Sequence, residues 1–247
     1  MNFAPCKTCP LRALPLFNPR SDGEVALIES LKTDQVVVDA DGRVIREGQT
    51  NAPLYTLLNG WTYRFKTLSD GRRKILNFLL PGDFIGVQQK MGDAAAHGVQ
   101  SLSDVVLCVF RRDALWELHR RATTLGFAVT WLTAHEESPV DDTLLSVCRR
   151  SAEERVATLL VLLFQRMAAL SPGADADAKG VPSPLTQHHI ANGLGLSLVH
   201  TNKTLRKLEK RGLHRIDEGR FYLVDVNTLS RIADLYGDGK PSARPLI

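Results

Sequence analysis

Apolar and polar positions change their period along the chain. Between residues 36 and 112 the apolar positions come in short runs: Val36-Val37-Val38, Leu54 to Leu58, Trp61 to Thr67, Lys74 to Leu79 and Val105 to Phe110. Asp41-Gly42, Gly48, Asn59-Gly60, Asp70-Gly71 and Pro81-Gly82-Asp83 separate them, and several of these are turn dipeptides whose positive φ only glycine or asparagine adopts cheaply. The spacing predicts an all-β barrel or sandwich over residues 36–112. From Asp113 the period becomes helical. Asp113 to Arg121, Thr123 to Glu137 and Asp141 to Arg150 carry apolar residues at helical spacing, with Leu144, Leu145 and Cys148 on one face, and one long helix over 113–150 is the simplest reading. Pro139 lies inside it; without an amide hydrogen, and crowding the preceding turn, it predicts a kink or a new helix capped by Ser138. Ser151-Ala152-Glu153-Glu154 has the form of a capping box opening an apolar helix over 152–170. Residues 171–183, rich in Pro, Gly, Ala and Asp, read as a mobile loop, and 237–247, with Pro241 and Pro245, as a flexible tail.

The strongest pattern runs from Thr186 to Arg211. Ile190, Ala191, Leu194, Gly195, Leu196 and Leu205 fall where a helix-turn-helix needs a small residue at the helix contact, glycine in the turn and apolar inner faces. Thr186 caps the first helix and Ser197 the second. Thr201 departs from the pattern, standing where an aliphatic residue usually packs. The second helix carries Lys203, Arg206, Lys207, Lys210 and Arg211 against the single acid Glu209, a local charge of +4 that equals the formal net charge of the whole chain. Such density attracts phosphate. Arg215 to Asp225 reads as a hairpin turning at Glu218-Gly219, a wing. The bland alternative, a solvated basic helix, leaves the agreement of caps, turn and wing unexplained.

At 247 residues the chain has room for two domains with real cores, and 44% apolar with 23% charged residues is ordinary globular composition. The longest nearly uncharged apolar stretch, Val156 to Phe164, is about half of the ~18 residues that a bilayer span needs. Met1 to Cys6 shows no charged region leading into an apolar block, so the expected compartment is the cytoplasm, with no membrane partner. P-loop, G-x-S-x-G, H-E-x-x-H and dinucleotide fingerprints are all missing, which speaks against an enzyme.

The order of β-roll, long helix and winged helix-turn-helix, with Leu80-Pro81-Gly82-Asp83-Phe84-Ile85-Gly86 and Ala152-Glu153-Glu154-Arg155, resembles the Crp/Fnr superfamily of bacterial transcription regulators over about residues 5 to 236. The resemblance implies an α+β chain: an N-terminal jelly-roll of the cyclic-nucleotide-binding type (21–112), a dimerisation helix (113–150) with Leu144, Leu145 and Cys148 at the seam, and a winged helix-turn-helix (151–236). It implies a homodimer on palindromic double-stranded DNA, with RNA polymerase as a further partner. Thr186, Ser197, Leu198, Val199, His200, Asn202, Lys203, Arg206 and Lys207 are the expected DNA-binding residues: Asn202 suits adenine, Lys203 guanine, and Val199 or Leu198 a thymine methyl. Two departures bear on function. Family members that bind cyclic nucleotides hold the phosphate with an arginine after the Pro-Gly-Asp turn, whereas Gly82 to Gln100 holds only Lys90, so cyclic AMP is not expected as the effector. The glutamate and arginine with which many relatives read their half-site align with Val199 and Lys203, which implies a different or looser half-site.

Four cysteines in a reducing compartment do not suggest a disulfide framework. In oxygen-sensing Fnr-type members an N-terminal cysteine cluster and one cysteine late in the roll hold an iron–sulfur cluster, and Cys6, Cys9 and Cys108 resemble three of those ligands within a 1–20 segment and the roll. Pro15 stands where a further cysteine is expected, so the fourth ligand is missing; Asp93 and His97 are candidates by proximity in sequence. Three readings stay open: cluster binding, thiol redox chemistry or another metal, and no sensory role. Two readings of the whole compete with a redox regulator: an effector-independent regulator controlled by its level, and a cyclic-nucleotide-binding module that contacts protein.

Overall fold

The computed structural model describes residues 5–87, 94–135, 138–171, 179–235 and 243–247. They fall into two compact units, Met1–Pro139 with Ala243–Ile247, and Val140–Ser242.

In the first unit two short 3-10 turns, Cys6–Thr8 and Pro10–Ala13, lead to helix α1 (Asp22–Leu31). A capping box opens α1: the Glu24 amide donates to Ser21 Oγ, and the Ser21 amide to the Glu24 carboxylate. The strands are β1 (Lys32–Val38), β2 (Arg43–Ile45), β3 (Leu54–Asn59), β4 (Thr62–Thr67), β5 (Arg73–Leu79), β6 (Phe84–Ile85), β7 (Gly98–Ser101) and β8 (Val105–Phe110). They form two antiparallel sheets, ordered β1-β8-β3-β6 and β2-β7-β4-β5, and the non-sequential neighbours make the roll. Strand alternation builds two cores from one strand. On β8, Val105, Leu107 and Val109 pack into the roll interior with Leu57, Leu79 and Val99. Cys108 and Phe110 face the other way, into a cluster with Ile28, Leu54, Phe84 and Leu118.

Ala122 corrects the single long helix over 113–150: α2 (Ala114–Arg121) and α3 (Thr123–His135) are separate, and α4 (Ser138–Arg149) follows, with residues 136 and 137 outside the described ones. Ala122, extended at φ −148°, ψ 98°, separates the first two. Gly126 permits the corner, because a Cβ there would lie 3.0 Å from the His119 Cα. The kink or new start expected at Pro139 adjoins residues 136 and 137, which lie outside the described ones; α4 is described from Ser138.

The second unit holds most of α4, then α5 (Ala152–Ala169), β9 (Val181–Pro182), α6 (Gln187–Leu194), α7 (Leu198–Lys210), β10 (His214–Asp217), β11 (Arg220–Leu223) and α8 (Val226–Ile232). Its sheet runs β10-β11-β9, so part of the expected 171–183 loop is a wing strand, while residues 172–178 lie outside the described ones. Phe221 of the wing meets Phe164 of α5 edge-on at 5.8 Å, locking the hairpin to the domain core.

The tail is a second correction. Residues 237–242 lie outside the described ones, but Ala243–Ile247 belongs to the first unit, with Leu246 and Ile247 buried. The reading of a flexible tail weighed its prolines and missed the apolar pair that follows.

Candidate nucleic-acid interface and cysteine face

The helix-turn-helix is assembled by its caps. Thr186 Oγ1 accepts the His189 amide, and His189 Nδ1 accepts the Thr186 amide, a capping box completed by histidine. Gly195 closes α6 in the left-handed conformation (φ 65°, ψ 34°), and Ser197 Oγ accepts the His200 amide to start α7. Arg155 clamps the unit from α5, donating to the carbonyls of Val147, Arg150 and Leu194.

This fixes the rotation of α7. Thr201, Thr204, Leu205 and Leu208 are buried, so the departure at Thr201 packs inward as an aliphatic residue does. Val199 (79% exposed), His200, Lys203, Arg206 and Lys207 face outward. Leu198 and Asn202 are half-buried at the edge of that face, and Asn202 Oδ1 is buried without a partner. A cleft of about 790 Å³ opens beside the helix, lined by Ser151, Glu153, Ser197, Val199, Lys203 and Lys207. Glu153 is the residue that sequence reasoning missed here. Its carboxylate pairs with both Lys207 and Arg211, and the Lys207 hydrogen bond, with the two positive charges, holds it below the usual carboxylate range. Glu153 and Lys207 lie 54 positions apart, beyond any local pattern. The wing turns at Glu218 (φ 47°) and Gly219 (φ 70°), with the Arg215 guanidinium 4.2 Å above the Tyr222 ring.

The cysteine face lies in the first unit. Cys6 is only 8% exposed, and its amide donates to Glu29 of α1. Cys108, turned outward from the roll interior, lies in the field of Cys6 and Cys9, with Lys32 and Arg12 nearby. Burial pushes both the Cys6 and the Cys108 thiol up, against the opposing pull of Lys32 and Arg12. Three thiols thus share one neighbourhood, yet no group of three His, Cys, Asp or Glu residues among the described ones is arranged to hold a metal ion. His97 does not join them: it sits among Arg64, Lys66 and Glu47, and Asp93 lies outside the described residues. Cys148, Leu144 and Leu145 are exposed on α4, the two leucines at 62% and 49%.

Arg64 was also missed. It is buried on β4, opposite Val99 and Asn77, and its Nε donates to Asn77 Oδ1 at 2.7 Å.

Comparison with known proteins agrees with both halves. A model for the cyclic nucleotide-binding domain matches residues 35–122, and one for the Crp-like helix-turn-helix domain matches residues 154–232. The transcriptional activator protein FnrL of Cereibacter sphaeroides is 26% identical over 241 residues, 98% of this chain and 95% of that protein. The transcriptional activatory protein AadR of Rhodopseudomonas palustris is 32% identical over 167 residues, 68% of this chain and 67% of the other. The structure of FixK2 from Bradyrhizobium japonicum superposes with a TM-score of 0.72 at 24% identity, covering 81% of this chain and 96% of that one. No helix among the described residues is long and apolar enough to cross a membrane.

Proposed function

The chain belongs to the Crp/Fnr family, on its Fnr/FixK branch, and is a DNA-binding transcription regulator and not an enzyme; from there we propose that it works in the cytoplasm as a homodimer on a palindromic promoter site, contacts RNA polymerase, and responds to oxygen or redox state through Cys6, Cys9 and Cys108. Dimerisation is supported by the apolar residues left exposed on two helices, Phe127 (70% exposed) on α3 and Leu144 and Leu145 on α4. Two winged domains need such a seam to reach half-sites a helical turn apart.

The observation that carries the redox reading is the alternation of β8, which turns Cys108 out of the roll and into the neighbourhood of Cys6 and Cys9. Burial pushes the Cys6 and Cys108 thiols up and so disfavours the reactive thiolate, and a response requires that this neighbourhood open first. That same burial favours the second reading, an effector-independent regulator controlled by its level.

Protein purified without air, assayed for iron, sulfide and visible absorption, and then titrated onto promoter duplex before and after aeration, separates the two. Salt-dependent DNA binding that changes on aeration, and no longer does so in Cys9→Ser, is the expected result. Binding indifferent to air in both proteins leaves the effector-free reading, and binding to protein but not to DNA leaves neither.

A further inference from the structure

The segment Ala243–Ile247 follows the DNA-binding unit in the chain but is built into the sensor unit. Four kinds of contact seat it. The Arg244 amide donates to the Leu16 carbonyl and the Asn18 amide to the Arg244 carbonyl, both at 2.9 Å, a short parallel bridge beside Phe17. Arg244 Nη1 pairs with Asp83 Oδ1 at 2.7 Å, and both side chains are almost fully buried. Thr56 Oγ1 donates to the Ile247 carbonyl at 2.6 Å. Ile247 itself joins the cluster that contains Cys6, Leu54, Phe84 and Phe110, with Cys108 packed against it.

Register places this seat next to the thiols. Thr56 is the cross-strand partner of Cys108, so the two side chains share one face of the sheet. Asp83 is held by its own turn, accepting the Leu80 amide at 2.8 Å, and Gly82 lets Phe17 close over that turn: a Cβ at Gly82 would fall 2.2 Å from the Phe17 ring. The slot is thus a preformed carboxylate beside an apolar floor, matched to Arg244 and to Leu246-Ile247.

We propose that the sensor unit carries a docking slot for the chain's own segment Ala243–Ile247, and that the seated segment shields Cys108 and joins the DNA-binding unit to the sensor at both ends of its chain. The chain enters the second unit at Val140 and leaves it at Ser242, so unseating the segment breaks no covalent bond but frees one of the two ends by which that unit is anchored to the sensor. Opening the cysteine neighbourhood and releasing the segment become one event, because Ile247 and Cys6 pack in one cluster. This deepens the proposed redox response by naming the element that carries it, but the seating itself needs no redox chemistry.

The test is the alkylation rate of Cys108 by N-ethylmaleimide in the full chain, read by peptide mass spectrometry alongside the melting temperature. Thr56→Val removes one hydroxyl at nearly constant shape, Arg244→Ala removes the buried ion pair, and a third variant lacks Ala243–Ile247. Cys108 labelling is expected to rise about tenfold in Arg244→Ala, and less in Thr56→Val, since a lost buried partner leaves the Asp83 carboxylate uncompensated. A synthetic Ser-Ala-Arg-Pro-Leu-Ile peptide is expected to restore protection of the truncated protein at roughly millimolar concentration, the usual effective concentration of a short tether. Labelling unchanged in all three variants overturns the proposal. So does protection that depends on protein concentration, which would mean that the segment comes from a second copy. These outcomes are independent of whether air alters DNA binding, so the redox reading and the seating can fail separately.

Discussion

Lys207 and Arg211 are exposed at the basic end of α7, but both pair with Glu153, so one of the five positive charges gathered there is offset before any phosphate arrives. Replacing Glu153 by Gln is therefore expected to tighten binding to specific and random duplex alike, and to steepen the plot of log affinity against log salt by about one to two. Stability should change little, because exposed ion pairs contribute about 0 to 1 kcal/mol. Arg206, exposed on the same helix, is expected to act on all sequences, lowering that slope by about one in Arg206→Ala, whereas Asn202→Ala should cost about 1 to 3 kcal/mol mainly on the preferred site. An unchanged preferred-to-random ratio in Asn202→Ala would remove it from the reading face. In the roll, burial and the charges of Arg64 and Lys66 push His97 down to about 4, against the pull of Glu47. Its unfolded form takes a proton near the ordinary value of about 6.5. The unfolded state thus binds the proton first, and stability falls as pH drops from there to about 4, where the folded form also protonates. Urea titrations between pH 7 and pH 4 should show a flatter acid limb for His97→Gln than for the unaltered protein.

The corner after the first helix beyond the roll has an identifiable cause, and the exposed apolar residues farther on mark a surface. The corner between α2 and α3 rests on Gly126, with His119 already at contact distance from any added Cβ. Gly126→Ala should therefore cost about 1 to 3 kcal/mol by overpacking, measurable as a lower urea midpoint with an unchanged slope. On α4 the apolar residues Val140, Leu144 and Leu145 remain exposed where a soluble helix usually shows polar groups. Leu144→Asp with Leu145→Asp should give monomers in sedimentation at micromolar concentration and abolish binding to a palindrome, while leaving the melting temperature nearly unchanged. Weakened folding instead of weakened association would show that this face packs within the protomer.

At the scale of the molecule, the first unit matches the cyclic nucleotide-binding domain and the second the Crp-like helix-turn-helix domain, and the first question is whether the roll takes a cyclic nucleotide. Gly82 to Gln100 contains no arginine, and the inward-facing Arg64 is already bonded to Asn77, so millimolar cyclic AMP is expected to give no saturable heat in calorimetry and no tighter DNA binding. The fold of the two units rests on contacts of very different range. Local ones were legible in the residues alone: the turns at Asn59-Gly60 and Pro81-Gly82-Asp83, the caps at Ser151, Thr186 and Ser197, the wing at Glu218-Gly219 and the outward charge of the recognition helix. Each depends on neighbours within about four positions, where backbone sterics and capping hydrogen bonds act. Even α1 was announced in this way, by the Ser21 and Glu24 pair, although the strand pattern around it drew the reading away. Only the tertiary structure decided that the helix pattern after the roll breaks at Ala122, that Cys6 is buried, that Glu153 holds Lys207, and that Ala243–Ile247 closes on the roll. Thr56 and Ile247 are 191 positions apart and Asp83 is far from Arg244 in the chain, so no period or spacing links them. Such pairs form because burying an apolar side chain and satisfying a buried charge are properties of the assembled core, and only the folded chain brings the partners together.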